Sequence, residues 1–161
     1  MCPYSSVVAS LREYLTKNSL KISLAESCTG GLITSMLTDI EGASDFLEQA
    51  CVAYCEAAKT ELLGVNPKTI SQNGVVSAQV AAEMADGLIK RYGGVALATT
   101  GLLGPKGDGK NPIGTVFIAI ATQELHAVKK YHSKKHTRTG IKQDIALKTL
   151  EYLHSVLCGE K

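Results

Sequence analysis

The sequence contains no tryptophan, and its aromatic residues make up only 5% of the 161 positions. Stacking platforms for bases or sugars depend on such side chains, so their scarcity argues against those sites. The net charge of +2 is too near balance for a dedicated polyanion binder. The apolar run 116–121 is far shorter than the roughly 18 residues of a membrane span. Arg12 and Glu13 come too early for a secretory signal, so we expect a cytoplasmic protein that binds neither nucleic acid nor membrane.

Cysteine occurs at five positions, an odd count without the density of a disulfide scaffold. Cys51 and Cys55 imitate the spacing of zinc ligands, but the segment 49–54 predicts a buried strand. Four residues along a strand separate two side chains by about 13 Å, whereas zinc needs its sulfur ligands about 2.3 Å away. We therefore expect no metal site and only reduced thiols. The cysteines are Cys2, Cys28, Cys51, Cys55 and Cys158.

The length suits one domain, residues 1–161. Apolar periodicity alternates between strand-like and helix-like segments and ends with a hairpin and a last helix. Ser77 is expected to cap one helix and Gly64 to end another. This order predicts an α/β fold, a three-layer α/β/α sandwich around a mixed, mainly parallel sheet. The predicted strands cover 21–25, 49–54, 95–100, 115–122 and 125–131, and the predicted helices begin near 3, 32, 57, 77 and 138.

The glycine-rich stretch 104–110 satisfies the spacing G-x-x-x-x-G-K of a P-loop. Asn111 nevertheless stands where a P-loop has the hydroxyl residue that binds magnesium. Pro112 then prevents the helix whose N-terminus would hold the phosphates. The stretch is therefore either a flexible loop or a loop that lines a site.

A second stretch, 26–31, joins a predicted strand to a predicted helix and contains two glycines. Free N–H groups at such a junction favour an anion or oxyanion cradle. Capping of the helix by Ser27 or Thr29 would explain the sequence equally well. The acidic residue Glu26, just before the serine, is harder to explain by packing alone.

Candidate catalytic side chains are few, because neither G-x-S-x-G nor S-x-x-K occurs and all four histidines lie in the last quarter. Lys59 is a candidate base, since burial can lower a lysine pKa toward about 7–8; a solvated helix lysine is the alternative. The segment 125–143 has six cations and no acid. The segment lacks interleaved aromatic residues, which argues against a nucleic-acid surface. One or two of its cations would suffice to bind a single phosphate, and the others would lie on a solvated edge strand.

Several separated motifs appear together in a familiar order. The most specific is AESCTGG at 25–31, and the others are TDIEGAS at 38–44, VAY with AAK within 52–59, LGV with GVVS within 63–77, TG with GP within 100–105, and PIGTV at 112–116. Together they resemble the CinA C-terminal domain family, the nicotinamide-nucleotide amidohydrolases, over residues 5–157. The chain departs from that family's usual pattern at Cys55-Glu56, at 102–108 and at His136-Thr137. Larger family members carry a further N-terminal domain, so we expect the stand-alone form.

The resemblance implies hydrolysis of the carboxamide of nicotinamide mononucleotide to nicotinate mononucleotide and ammonia, without metal or cofactor. It implies Ser44 as nucleophile, Lys59 as base and Tyr54 alongside. Ser27 stays open as the alternative nucleophile, because its place between strand and helix is also favourable. The residues expected to line the substrate pocket are Ser27, Thr29, Gly30, Thr100, Gly101 and Arg138.

Two further expectations concern partners and activity. We expect a small nucleotide substrate and a homo-oligomer. A catalytically silent module that keeps the pocket for a nucleotide or a partner remains the alternative function.

Overall fold

The computed structural model describes residues 3–159, which form five strands and six helices. The strands are β1 (Ile22–Glu26), β2 (Leu47–Val52), β3 (Val95–Gly101), β4 (Thr115–Ala121) and β5 (His126–His132). The helices are α1 (Ser5–Lys17), α2 (Leu32–Thr38), α3 (Glu56–Leu63), α4 (Pro67–Asn73), α5 (Ala78–Tyr92) and α6 (Arg138–Cys158). A short 3₁₀ turn, Ala43–Asp45, precedes β2.

The sheet has the strand order β2-β1-β3-β4-β5. Strand β1 pairs in parallel with both β2 and β3, while β4 is antiparallel to β3 and to β5. The sheet is therefore mixed, with a parallel group at one side and the expected hairpin at the other, as predicted. Because β1, β2 and β3 run the same way, their carboxyl ends meet at one edge of the sheet, which positions the site described below.

Helices cover both faces of this sheet. Side chains of α1, α2 and α6 share one buried cluster with the larger aliphatic residues of the strands, such as Leu24, Leu97 and Ile118. Side chains of α5 share the other cluster with strand alanines, such as Ala25 and Ala98. Since successive strand residues point to opposite faces, the sequence itself sorts large residues to one face and alanine to the other. The three-layer α/β/α prediction is thus confirmed.

Local signals at the helix ends are also confirmed. The Ser77 hydroxyl accepts a hydrogen bond from the N–H of Val80 and caps α5, and Gly64 ends α3 in the left-handed region at φ 71°. Within residues 3–159, no helix has both the length and the apolar character needed to cross a membrane.

Two predictions about elements need correction. The segment 49–54 was expected to be a buried strand, but β2 is an edge strand that ends at Val52 and leaves alternate side chains exposed. Helix α4 was not predicted, although Asn66 and Pro67 supply an N-cap and a proline at the first helical position. The helix buries only one residue, Ile70, so it has no apolar stripe by which periodicity could reveal it.

Candidate active site

A cavity of about 200 Å³ lies at the carboxyl edge of the sheet, beyond the ends of β1 and β3. The turn after β1, the start of α3, the segment before α5 and the loop after β3 form its walls, and α6 begins at its mouth. Such an edge of parallel strands is where α/β proteins gather ligands. The lining residues are Ser27, Cys28, Tyr54, Lys59, Val75, Val76, Thr100, Gly101, Leu102, Leu103, Gly104 and Arg138.

Lys59 is the only lysine of the described residues that is almost fully buried, with 1% of its surface exposed. It lies on the inner side of α3, whose N-cap is Cys55. Burial lowers the pKa of Lys59, and the nearby Cys28, Cys55 and Glu56 oppose that shift. Among residues 3–159, no carboxylate forms a salt bridge with its ammonium group. A lysine without an acidic partner in a desolvated site is the kind that loses its proton most readily.

The Lys59 amine has three hydrogen-bond partners. Its Nζ lies 2.9 Å from Ser27 Oγ, 2.7 Å from the Ala53 carbonyl oxygen and 3.3 Å from the Tyr54 carbonyl oxygen. In the structure Nζ donates to all three oxygens. The two carbonyl oxygens can only accept, so in a neutral amine they would take the two N–H groups, and the lone pair of Nζ would face the Ser27 hydroxyl. This is the geometry of a nucleophile beside its general base.

The N-terminus of α2 is occupied by the side chain of Glu26. Its carboxylate accepts the backbone N–H groups of Gly31, Ile33 and Thr34. The expected anion cradle at this helix end is therefore filled by the protein itself. Cys28 and Thr29, earlier in the turn, do not donate to Glu26.

Comparison with known proteins identifies the family of the chain. Residues 5–157 match the family model described as the CinA C-terminal domain. The chain belongs to the CinA C-terminal domain family. A CinA-like protein of Syntrophus aciditrophicus is 43% identical over 144 residues, which is 88% of this chain and 34% of the relative. One from Syntrophotalea carbinolica is 40% identical over 154 residues, 94% of this chain and 37% of the relative. The chain thus spans about a third of the curated relatives' length.

Solved structures of the CinA superfamily have the same fold. A competence-damaged protein (CinA) superfamily protein from Escherichia coli matches with a TM-score of 0.89 and 30% identity, over 94% of this chain and 88% of its own. The competence/damage inducible protein CihA from Agrobacterium tumefaciens matches with a TM-score of 0.85 and 34% identity, over 94% and 93%. These likenesses extend over nearly the whole chain.

In this CinA domain, Ser44 and Lys59 are not brought together. Ser44 is exposed on the 3₁₀ turn Ala43–Asp45 before β2. In the sheet register, Ile22 lies opposite Leu47 and Glu26 opposite Val52, so the turn lies at the amino edge. The length of β1, about 13 Å, separates that edge from the carboxyl edge where Lys59 meets its partners. Lys59 thus contacts Ser27 and not Ser44, and which serine is the nucleophile stays a prediction.

The other predicted pocket residues divide into two groups. Thr100 and Gly101 line the cavity, and the Thr100 hydroxyl donates to the Val75 carbonyl at 2.9 Å. Thr29 and Gly30 do not line it. The Thr29 side chain is fully buried and shares a 3.1 Å hydrogen bond with Thr99, and Gly30 is exposed at the turn with φ 62°.

Arg138 is the first residue of α6 and lies across the mouth of the cavity. Its Nη1 donates to the Gly104 carbonyl at 3.0 Å, and its Nη2 donates to the Tyr54 hydroxyl at 2.9 Å. Tyr54 itself is 60% exposed. The predicted Tyr54 and Arg138 therefore lie at the entrance, while the backbone carbonyl of Tyr54 faces Lys59.

Cys28 lies in the cavity wall next to Ser27, and the sequence did not single it out. Burial raises the pKa of Cys28 to about 12, so the group is a thiol and a poor nucleophile at neutral pH. The four described cysteines are free, and Cys2 lies outside the described residues. In the described part of the chain, no group of histidine, cysteine or acidic residues has an arrangement that would hold a metal.

Proposed function

We propose that this domain hydrolyses the carboxamide of nicotinamide mononucleotide to nicotinate mononucleotide and ammonia, with Ser27 as the nucleophile and Lys59 as the base. The observation that carries the proposal is the 2.9 Å contact between Lys59 Nζ and Ser27 Oγ, in which the lysine is buried and its other partners can only accept. The chemistry of the reaction needs a base that is neutral at working pH, and burial favours that state.

The first half of the reaction forms an ester on Ser27. Its hydroxyl gives its proton to Lys59 Nζ as Oγ attacks the carboxamide carbon, and a tetrahedral oxyanion results. The N–H groups of Cys28 and Thr29 are the candidates to stabilise that oxyanion, since those of α2 are bound to Glu26. The Lys59 ammonium then protonates the leaving nitrogen, and ammonia departs.

The second half regenerates the free serine. Neutral Lys59 takes a proton from water, the resulting hydroxide attacks the ester carbon, and Ser27 leaves with the proton returned by the lysine. One water is consumed and one ammonia is released in the cycle. Both halves use the same proton path between Nζ and Oγ, which is why a single lysine suffices.

Substrate binding is proposed to use the entrance of the cavity. The Arg138 guanidinium has a fork of donors suited to a phosphate, and its contacts to Gly104 and Tyr54 hold it there. The positive charge of the pyridinium ring would also disfavour a second charge on Lys59. A nucleic-acid substrate is not part of the proposal, and a homo-oligomer stays a prediction.

The experiment that tests the proposal measures ammonia release from nicotinamide mononucleotide by the purified protein, with nicotinate mononucleotide identified as the second product. Ser27→Ala and Lys59→Ala should lower kcat by about 10³-fold or more, because they remove the nucleophile and the base. Ser44→Ala is the matched control and should stay within about twofold, since that serine is exposed and far from the lysine.

Two outcomes would overturn the proposal. A loss of turnover in Ser44→Ala with normal turnover in Ser27→Ala would reverse the assignment of the nucleophile. Thermal stabilisation of the protein by the nucleotide with no ammonia formed would instead support the catalytically silent binding module.

A further inference from the structure

Glu26 is the last residue of β1 and the immediate neighbour of Ser27, and only 1% of its surface is exposed. Its side chain accepts four hydrogen bonds, all from the first turn of α2 and the residue before it. Oε2 lies 3.0 Å from the Gly31 nitrogen and 3.2 Å from the Ile33 nitrogen. Oε1 lies 2.8 Å from the Thr34 nitrogen and 2.6 Å from the Thr34 hydroxyl.

The buried carboxylate has no cationic side chain as a partner anywhere in residues 3–159. A buried charge without compensation is costly, and the compensation here comes from the N–H groups and the dipole at the start of α2. Helix capping alone would need only one of the short polar residues that usually cap helices. A glutamate side chain that reaches across the turn to α2 also ties the two ends of that turn together.

That effect is the closure of the turn that carries Ser27. The Glu26 side chain fixes the far end of the turn, at Gly31, and the Gly30 N–H donates to the Ser27 carbonyl at 3.1 Å within it. With both ends of the turn bound to one residue, the backbone of Ser27 is held in place, so its Cβ keeps a fixed position beside Lys59.

The main chain of Glu26 fixes the other half of the pair. Its carbonyl accepts the Ala53 N–H at 2.8 Å, and the Ala53 carbonyl in turn accepts from Lys59 Nζ at 2.7 Å. One residue therefore connects, through its side chain, to the turn that bears the nucleophile and, through its backbone, to the segment that orients the base.

We propose that Glu26 is a positioning residue for the Ser27–Lys59 pair: its buried carboxylate holds the turn 27–31 so that the serine hydroxyl stays within hydrogen-bond distance of the lysine amine. The inference rests on the proposed function for the substrate and for the roles of Ser27 and Lys59. It makes no claim that Glu26 touches the substrate, and the four acceptor contacts leave its carboxylate no free site for one.

The test compares Glu26→Gln with Thr34→Val as the matched control. The glutamine amide keeps one acceptor oxygen, so at least one backbone donor loses its partner and the turn is released. The valine removes only the hydroxyl contact and leaves the three backbone donors on the carboxylate. We expect kcat for ammonia release to fall about 10- to 100-fold in Glu26→Gln with KM within about threefold, since small misplacements of reacting groups have effects of that size. Thr34→Val should keep kcat within about threefold.

A second measurement reports on Ser27 without any nucleotide. A small serine-reactive organofluorophosphonate is added to the protein, and the rate of covalent labelling at Ser27 is followed by mass spectrometry. The labelling rate should fall in Glu26→Gln by a factor similar to the fall in kcat, remain near the parent rate in Thr34→Val, and be lost in Lys59→Ala. Glu26→Asp, which keeps the charge on a shorter side chain, should give an intermediate rate and serves as the test if the glutamine variant does not fold.

The two proposals fail in different ways. Labelling of the parent without ammonia release would contradict the amidohydrolase function and leave the ratio of labelling rates as the test of Glu26. A parent serine that is not labelled, a labelling rate in the Glu26 variants equal to that of the parent, or an equal loss in Thr34→Val would overturn the positioning role. A KM that rises while kcat and the labelling rate stay constant would overturn it too.

Discussion

Replacing Lys59 with methionine should change the pH dependence of stability by up to one bound proton. In the folded protein, burial lowers the pKa of Lys59, whereas in the unfolded chain a lysine has its usual pKa of about 10.4. Between those two values the unfolded state binds one more proton than the folded state. The free energy of unfolding contributed by Lys59 therefore rises with pH in that window, by at most about 1.36 kcal/mol per pH unit.

The methionine variant lacks this titration and has a similar unbranched side chain. It leaves the Ala53 and Tyr54 carbonyls without their donor, which costs about 1–3 kcal/mol at every pH. That cost is the same at every pH. The pH slope of the difference in free energy of unfolding between the two proteins therefore reports only the titration of Lys59. Below the folded-state pKa of Lys59 the difference is constant, and above it the parent gains stability over the variant.

The assay is urea unfolding of both proteins at half-unit intervals from about pH 6 to about pH 10. The expected difference plot rises with pH, with a slope of at most about 1.36 kcal/mol per unit. In the parent, kcat/KM for ammonia release should rise through the same apparent pKa, because only the neutral amine is a base. A difference that is flat throughout, or that falls with rising pH, would refute a buried lysine that deprotonates near working pH.

Two further predictions concern the entrance and the packing. Arg138→Ala should raise KM for nicotinamide mononucleotide about 10- to 100-fold, the size of a lost charge-assisted hydrogen bond of about 1.5–3 kcal/mol. Its KM for the nucleoside without phosphate should hardly change, and equal effects on both ligands would contradict a phosphate contact. Gly87→Ala should lower the free energy of unfolding by about 1–3 kcal/mol, because the new Cβ would lie 1.9 Å from the Leu63 carbonyl oxygen. Chemical denaturation measures this, and an unchanged midpoint would show that α3 and α5 can separate freely.

The fold was predictable where local chemistry and periodicity agree. Ser77 and Gly64 mark helix ends by their own conformational preferences, and the alternation of strand residues assigns the two faces of the sheet. The edge position of β2 was not predictable from its composition, because Cys51 and Val52 suit a buried strand as well as an edge strand. The position of a strand in the sheet is decided by the strands it pairs with, and those contacts join distant parts of the chain.

The position of each serine relative to Lys59 could be predicted from the strand topology, which is a stronger guide than composition. In a parallel β-α-β unit, residues that follow a strand lie at the carboxyl edge and residues that precede a strand lie at the amino edge. Ser27 and Lys59 each follow a strand, whereas Ser44 precedes one. That topological rule separates the two serines from the sequence alone. The proposed role of Glu26 was not predictable from the sequence, because its hydrogen-bond partners lie 5–8 residues further along the chain.

The two carbonyl groups that orient Lys59 belong to the main chain, and side-chain substitutions leave main-chain atoms in place. The residues around Tyr54 can therefore vary over evolutionary time while the lysine keeps its direction. At Cys55, where the chain departs from the family's usual pattern, the thiol caps α3 by accepting the Ala58 N–H at 3.4 Å. The proposed base, oriented by main-chain carbonyls, leaves the neighbouring surface free to diverge in substrate preference without loss of the proposed chemistry.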